Sequence, residues 1–310
     1  MSMAYRSDAV HVRAPGKINV YLGVGHPHDD GYHSLATVFQ AVSLFEDVYA
    51  YPSDDFSLEV TGDVDVSDVP TDDRNLAMRA AKMLAQATGV DAGVHLVIRK
   101  GVPVAGGMGG GSADAAAALV ACDALWGTDV GSRGLHELAA RLGADVPFTL
   151  HGGTAIGAGR GDELTPALAR GRFDWVLVTS DQGLSTPEIY RSLDRLRGFG
   201  DAVAEDPPLS LDVPVGVLQA LRAGDAHELA PVMHNDLERA AVLDRPDLEL
   251  ALADGVRLGA LSGIVSGSGP TIAFLCADPE AARALQQELR ATGREALHVH
   301  GPVHGAQLML

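Results

Sequence analysis

Strands and helices that alternate along the chain, with many hairpin-like joins, predict an α+β fold rather than a doubly wound parallel sheet. Three observations carry this expectation. Short apolar alternating runs bounded by glycine turns mark strands, the clearest being 94–98, 175–180 and the strand–turn–strand over 261–276. Helix start and stop residues frame the stretches between them. At 310 residues the chain can hold one large or two ordinary domains, and the linker-like composition of 161–171 starts the second near Trp175.

Composition narrows the function. Hydrophobic residues make up 46% of the chain but aromatics only 5%, so the core is expected to be mostly Ala, Val and Leu. A net charge of −18 argues against a nucleic-acid or anionic-membrane partner, which would need a basic face. A small anion is still admissible, because no Asp or Glu occurs over 9–28, 92–113, 146–161 or 255–277. Cys122 and Cys276 lie in apolar runs with no metal spacing and read as small core residues of a reduced protein. The first ten residues contain no apolar signal segment, and no run approaches membrane-spanning length, so a soluble cytoplasmic protein is expected.

Residues 9–21 alternate as a strand, break at Ala14-Pro15-Gly16 and resume over 18–22. Lys17 and Asn19 are the polar exceptions. Lys17 is either a surface lysine at a strand edge or, after a Pro-Gly break in an acid-free window, a partner for phosphate or carboxylate. His26-Pro27-His28-Asp29-Asp30-Gly31-Tyr32-His33 follows, with three of the twelve histidines. Its composition suggests a metal at first sight. Pro27 and Gly31 enforce a turn, however, and no helical H-x-x-x-H spacing is present, which favours a ligand-binding or a plain solvated loop.

Residues 35–51 read as one long or bent strand and 56–60 as another. Asp72-Asp73 are expected to cap a helix over 74–87 that ends at Gly89. Further helices are expected over 112–125, ending at Trp126-Gly127, and over 133–142, capped by Ser132 and stopped by Gly143. Asp145 then stands alone in Gly143-Ala144-Asp145-Val146-Pro147-Phe148. Local sequence favours an N-cap there, since Asp before a first-turn Pro is a common helix start. A partly buried carboxylate acting as a base is the other reading, and one residue can do both.

Residues 152–161 form a glycine-studded strand and turn. Ser185-Thr186-Pro187-Glu188 starts a helix that places Tyr190 about one turn in. An acidic loop over 198–214 precedes helices over 215–223, 237–242 and 248–258. The turn Ser266-Gly267-Ser268-Gly269-Pro270 separates strands over 261–265 and 271–276, and a helix over 279–291 and a strand over 296–300 follow.

The densest chemical signal is Pro103-Val104-Ala105-Gly106-Gly107-Met108-Gly109-Gly110-Gly111-Ser112-Ala113, with five glycines in six positions. A strand precedes it and a helix-prone run follows. Glycines let backbone N–H groups converge on one point, and the helix end adds unpaired donors and partial positive charge, so the stretch suits a phosphate. A flexible turn without a ligand is the plainer alternative. No Lys follows the glycines as a Walker A loop requires, and G-x-G-x-x-G occurs nowhere in the chain, which disfavours a nicotinamide-binding Rossmann domain.

Three glycine-containing blocks therefore stand in order: Ala14-Pro15-Gly16-Lys17-Ile18-Asn19, the central loop, and Ser266-Gly267-Ser268-Gly269-Pro270-Thr271. Together they resemble the three signature motifs of the GHMP small-molecule kinases. Asp30-Gly31-Tyr32-His33-Ser34-Leu35, Asp73-Arg74-Asn75-Leu76, Leu142–Phe148 and Thr186-Pro187 resemble the branch of that family acting on a cytidine-diphosphate-linked methylerythritol. Two features depart from the pattern: Ala113-Asp114 after the loop serine, and an unusually acidic loop over 201–212. The resemblance implies an N-terminal ATP-binding domain over 1–165, of ribosomal-protein-S5-domain-2-like fold. It also implies a ferredoxin-like C-terminal domain over 166–310, with the active site in the cleft between them.

The same resemblance assigns roles. Asp145 matches the catalytic base and Lys17 the catalytic lysine. Pro103 to Ala113, Ser112 included, would hold the ATP phosphates, and Asn75 would contact the adenosine side. His33 would hydrogen-bond the cytosine, with Tyr32 and Tyr190, after Thr186-Pro187, stacked on it; Asn19 would contact the substrate beside Lys17. ATP and Mg²⁺ are the implied cofactors, and the partner is a small molecule bearing a cytidine diphosphate.

Overall fold

The structure, a computed structural model, describes residues 9–104, 106–180, 182–198 and 211–309. The first eight residues, Ala105 of the glycine loop and most of the acidic 198–214 loop lie outside the described residues.

The N-terminal unit grows from one long antiparallel pair, β1 (Val10–Pro27) and β2 (His33–Ser53). β3 (Ser57–Gly62), α1 (Leu76–Thr88), β4 (Gly93–Lys100), α2 (Gly110–Trp126), α3 (Gly131–Leu142), α4 (Val146–His151), β5 (Thr154–Ala158) and β6 (Glu163–Pro166) follow. Among the described residues the first sheet runs β1-β2-β4-β3, with β5 on the other half of β2 and β6 on β5.

The second unit contains β7 (Phe173–Val178), α5 (Thr186–Leu196), α6 (Val215–Ala223), α7 (Ala226–Leu229), β8 (His234–Asn235), α8 (Glu238–Asp244), α9 (Asp247–Arg257), β9 (Ser262–Val265), β10 (Ile272–Cys276), α10 (Pro279–Ala291), β11 (Ala296–Gly301) and β12 (Gln307–Leu308). Its sheet is antiparallel in the order β11-β7-β10-β9, the fourth-first-third-second order of a split βαβ fold. β8 and β12 leave this unit and pair with β1.

The α2 sequence is apolar nearly all round, which places a helix inside a protein rather than on its surface. Ala113, Ala115 to Ala118, Leu119, Ala121 and Cys122 are all fully buried between the sheet and α1, α3 and α4. Small side chains let α2 lie close to β1 and β2, and that closeness fixes where its N-terminus emerges. A second core fills the space between the two sheets. Alternate residues of β7, Phe173, Trp175 and Leu177, face Ile18, Val20, Val38 and Val42 of the first sheet. Trp175 Nε1 donates to Gln40 Oε1 across this seam at 2.9 Å. Both cysteines are buried and free, and burial pushes each thiol up to about 12.

Several boundaries differ from those expected. Ala14-Pro15-Gly16 does not break β1. Pro15 lies opposite Phe45 and Gly16 opposite Val42, so Ser43 and Leu44 bulge out of β2 and the strand continues, a bulge being where a sheet tolerates proline. The first helix begins at Leu76, and its cap is Asn75, whose Oδ1 accepts from Ala77 N–H at 2.9 Å. Asp72 turns back onto Arg74 instead. Ser132 caps nothing; α3 starts at Gly131, and Asp123 Oδ1 holds the preceding turn through Val130 N–H and the Thr128 hydroxyl. The glycine loop also gives up its last residues to α2, which begins at Gly110 rather than Ser112. The short α7, β8 and β12 were not expected, because two- to four-residue elements carry no usable periodicity.

Candidate active site

The three glycine blocks meet at one place. Gly107 (φ +75°) and Gly109 (φ +70°) adopt left-handed backbone. A Cβ on Gly107 would lie 2.4 Å from Ser266 O, and one on Gly106 would lie 2.8 Å from Thr271 Oγ1. The central loop is thus pressed backbone-to-backbone against the third block. The first block closes the triangle. Lys17 N–H donates to Met108 O at 2.9 Å, and a Cβ on Gly267 would sit 3.3 Å from Asn19 Oδ1. Gly109 is the N-cap of α2 and has no side chain to satisfy the first N–H groups of this 17-residue helix. Those donors and the helix dipole point at whatever anion occupies the loop.

The loop separates two cavities. The smaller, about 360 Å³, is lined by Asn75, Pro103, Val104 and Gly106 to Gly111. Asn75 has turned its side chain onto the protein on both sides, since Nδ2 also donates to Pro70 O at 2.8 Å. Ala113 does not reach either cavity; it is fully buried in α2, with its N–H donating to Gly109 O at 2.9 Å. The larger cavity, about 1140 Å³, opens between the two units and contains Lys17, Asn19, Ser112, Asp145, Thr186 and Tyr190.

Lys17 and Asp145 face each other at its floor. Lys17 Nζ lies 3.4 Å from Asp145 Oδ2, and the lysine side chain is 7% exposed against 31% for the aspartate. Lys17 is held by a relay: Nζ donates to Asn19 Oδ1 at 2.8 Å, Asn19 Nδ2 to Thr37 Oγ1 at 2.8 Å, and the threonine hydroxyl to Tyr21 O. The ammonium also lies 5.3 Å from the centre of the Phe39 ring. Asp145 occupies the N-cap position of α4, yet its carboxylate makes no capping hydrogen bond. The expectation of a cap is therefore corrected: the backbone is where a cap belongs, while the carboxylate is drawn toward Lys17 and the cavity.

The histidine loop forms the opposite wall. His33, at the first position of β2, is buried, and its Nε2 lies 2.8 Å from Asp194 Oδ1 on α5. Its ring centre is 5.0 Å from that of Tyr190. Burial, and secondarily the Asp145 charge, push the Tyr190 hydroxyl well above the usual tyrosine range. Tyr32 is largely exposed, and its ring is covered by the Arg160 guanidinium, 4.0 Å from the centroid, rather than by a second aromatic. Thr186 Oγ1 meets Ser268 Oγ at 2.8 Å, tying α5 to the third glycine block.

Sequence reading missed Asp194, Arg160 and a buried cluster beneath the loop. Asp194 carried a signal, because Thr186, Tyr190 and Asp194 recur every four residues on one face of α5. The cluster consists of Glu46, Lys100 and Asp114, and it corrects the idea that acids are kept from the loop. The window 92–113 lacks acids in sequence, but in space Glu46 Oε1 would lie 2.8 Å from a Cβ on Gly110. Burial, with repulsion from Asp114, pushes the Glu46 carboxyl up to about 8.

Uncapped backbone donors at the glycine loop, with a carboxylate and an ammonium directly beside them, provide what phosphoryl transfer to a bound alcohol requires. The class that fold and cleft define is a small-molecule kinase. Residues 75–153 match the model of the GHMP kinases N terminal domain and 217–295 that of the GHMP kinases C terminal. A 4-diphosphocytidyl-2-C-methyl-D-erythritol kinase of Leifsonia xyli subsp. xyli is 57% identical over 97% of this chain and 99% of its own. Another, of Clavibacter michiganensis subsp. michiganensis, is 55% identical over 99% of both. A crystal structure of 4-(cytidine 5'-diphospho)-2C-methyl-D-erythritol kinase superposes with TM-score 0.75 at 34% identity, covering 94% of this chain and 98% of that one. Homoserine kinase of Cytophaga hutchinsonii shares the fold, with TM-score 0.74 at 18% identity over the whole of both chains. The chain belongs to the GHMP kinase family, among the 4-diphosphocytidyl-2-C-methyl-D-erythritol kinases.

Proposed function

We propose that the protein transfers the γ-phosphoryl group of ATP to the 2-hydroxyl of 4-diphosphocytidyl-2-C-methyl-D-erythritol, with Asp145 as base and Lys17 assisting. The observation that carries this reading is the Lys17–Asp145 pair, 3.4 Å apart at the mouth of a glycine loop whose helix end has no side-chain cap. Asp145 accepts the proton of the tertiary hydroxyl as its oxygen attacks the γ-phosphorus. Lys17 stands beside both and counters the negative charge that builds in the transition state. Asn19 and Thr37 hold Lys17 in place, so little reorganisation accompanies the step.

ATP phosphates would rest on Pro103 to Gly111 and Ser112, a stretch in which a Cβ on Gly106, Gly107 or Gly110 would come within 2.8 Å of a packed neighbour; the adenosine side would lie toward Asn75. Among the described residues no three His, Cys, Asp or Glu side chains are arranged to hold a metal. Mg²⁺ suits this site as an ion that arrives on the nucleotide, since it keeps much of its water and binds mainly through phosphate oxygens. When bound it neutralises phosphate charge. The cytosine would be read by His33 between Tyr32 and Tyr190, with Thr186 on the α5 side; Arg160 would then leave the face of Tyr32 or stack outside it. We put the domain division at 165/166, within β6 (Glu163–Pro166) and ahead of β7. Among the described residues no helix is long and apolar enough to cross a membrane, and we infer a cytoplasmic enzyme that binds neither nucleic acid nor membrane.

ADP release in the presence of 4-diphosphocytidyl-2-C-methyl-D-erythritol, homoserine and mevalonate tests the assignment. Turnover with the cytidine substrate alone is expected, and thermal stabilisation by CDP should accompany it. Preference for either of the other alcohols would overturn the substrate assignment.

A further inference from the structure

Glu46, Lys100 and Asp114 take no part in the chemistry described above, although they lie directly under the glycine loop. Glu46, on β2, is fully buried; Lys100, at the end of β4, and Asp114, on α2, are each 3% exposed. Lys100 Nζ lies 2.5 Å from Glu46 Oε1 and 2.6 Å from Asp114 Oδ2, so one ammonium serves two carboxylates. Glu46 Oε2 accepts from Gly101 N–H at 2.9 Å. Lys100 Nζ donates a hydrogen bond to Asp114 Oδ2 and makes only an ion contact with Glu46 Oε1, so Glu46 Oε1 and Asp114 Oδ1 are both buried without a hydrogen-bond partner among the described residues.

The cluster grips both ends of the loop. Gly101, between β4 and the loop, is bonded to Glu46; Gly110, where the loop passes into α2, stands where a Cβ would meet Glu46 Oε1 at 2.8 Å and Lys100 Nζ at 3.3 Å. The next residue back, Gly109, stands instead over the other ion pair, where a Cβ would lie 3.3 Å from Lys17 Cγ and 3.7 Å from Asp145 Oδ2. The remaining charged neighbours on the packed strands are paired elsewhere. Asp47 pairs with Arg13 and His11, and Arg99 with Asp63. With all three of its groups ionised, the cluster therefore carries one uncompensated negative charge behind the N–H groups offered to a phosphate.

We propose that Glu46, Lys100 and Asp114 form a proton-holding clamp on the glycine loop, which accepts an anionic nucleotide best when one proton resides on the cluster. Glu46 is a positioning residue that acts on the nucleotide through the loop, while Lys100 and Asp114 also line the smaller cavity. The proposal rests on the reading of this loop as the ATP site. Burial raises both carboxyls against the attraction of Lys100, and repulsion from Asp114 adds to it at Glu46, whose carboxyl is pushed up to about 8, so the pair holds a proton at neutral pH. The proton is lost above it. Phosphates at the loop disfavour that loss further, so nucleotide binding takes up part of a proton, and affinity falls as the cluster ionises.

The test is calorimetric titration of the full chain with ADP across the range in which Glu46 titrates, in two buffers of different ionisation enthalpy, for the wild type, Glu46→Gln and Asp114→Asn. In the wild type the ADP dissociation constant is expected to rise about fivefold from pH ~7 to ~9, with net proton uptake near pH ~8. Either variant leaves one carboxylate against one ammonium, neutral without a proton. Both should therefore bind ADP with a constant that stays flat over this range and with no proton uptake, their folding checked by thermal unfolding. A pH-independent constant in the wild type, or the same rise in Glu46→Gln, would overturn the clamp. Absence of ADP binding at every pH would instead remove the reading of the loop as the nucleotide site.

Discussion

Asp145→Asn separates a catalytic carboxylate from a structural one, because the structure sets the two expected effects far apart. The substitution keeps the shape of the side chain and removes both its charge and its ability to accept a proton. Loss of a general base lowers turnover by about 10²–10⁴, equivalent to about 2.7–5.4 kcal/mol in the barrier. The stability term is much smaller. The carboxylate makes no capping hydrogen bond, and its ion contact with Lys17 spans 3.4 Å with the aspartate side chain 31% exposed. Lys17 is buried but keeps Asn19 Oδ1 as acceptor, and the amide oxygen of the new Asn can accept from it in place of the carboxylate, so the loss is about 1 kcal/mol, and Asn is itself a good residue at an N-cap position. The melting temperature should therefore fall by no more than about 3 °C. An ADP-release assay giving kcat and both KM values, beside thermal unfolding, measures the two effects separately. We expect kcat to collapse while each KM stays within about threefold of the wild type, the pattern of a group that acts only in the transition state. Turnover within tenfold of the wild type would remove Asp145 as the base, and a large fall in melting temperature would make it a structural residue.

Three further outcomes follow from the geometry. Gly107→Ala places a side chain at φ +75° and 2.4 Å from Ser266 O; it should raise KM for ATP more than tenfold and lower stability by about 2 kcal/mol or more, read by kinetics and urea unfolding. Asp194→Ala removes the carboxylate that holds the His33 ring in place at 2.8 Å, so KM for the cytidine substrate should rise about tenfold with KM for ATP unchanged. The pH dependence of stability carries the mark of Glu46. Its carboxyl is raised from 4.5 to about 8 in the folded state, so the unfolded chain releases this proton first and stability is lost as pH climbs through that interval. Glu46→Gln should match the wild type near pH ~5 and exceed it by about 2 kcal/mol or more near pH ~8.5, measured by urea unfolding at both values.

Elements set by short-range rules were legible from the residues. The helices Val215–Ala223 and Pro279–Ala291 have the ends that were expected, and Gly89 and Gly127 end theirs in left-handed backbone. Such signals are written within one helical turn of the boundary they set. Expectations failed where two neighbouring residues competed for one local role, as when Asn75 displaced Asp72-Asp73 as the cap of α1. They also failed where a distant strand supplied a partner, as when the bulge at Ser43-Leu44 absorbed Pro15.

The three glycine blocks, their order and the absence of a Walker lysine are properties of the sequence alone, because a left-handed or close-packed backbone position requires glycine whatever surrounds it. What those blocks press against was decided by tertiary structure. The turn at Ser266–Pro270 closes on Gly107 only because the second sheet packs on the first through Trp175 and Gln40. Asp145 had the local sequence of a cap, and Lys17, 128 positions earlier, gives its carboxylate a different partner. Glu46 lies 54 residues before Lys100 and 68 before Asp114, yet the β2–β4 register and the close approach of α2 bring all three together under the loop. Charge acts across space, and no window of sequence shows which distant strands will bring two charges into contact.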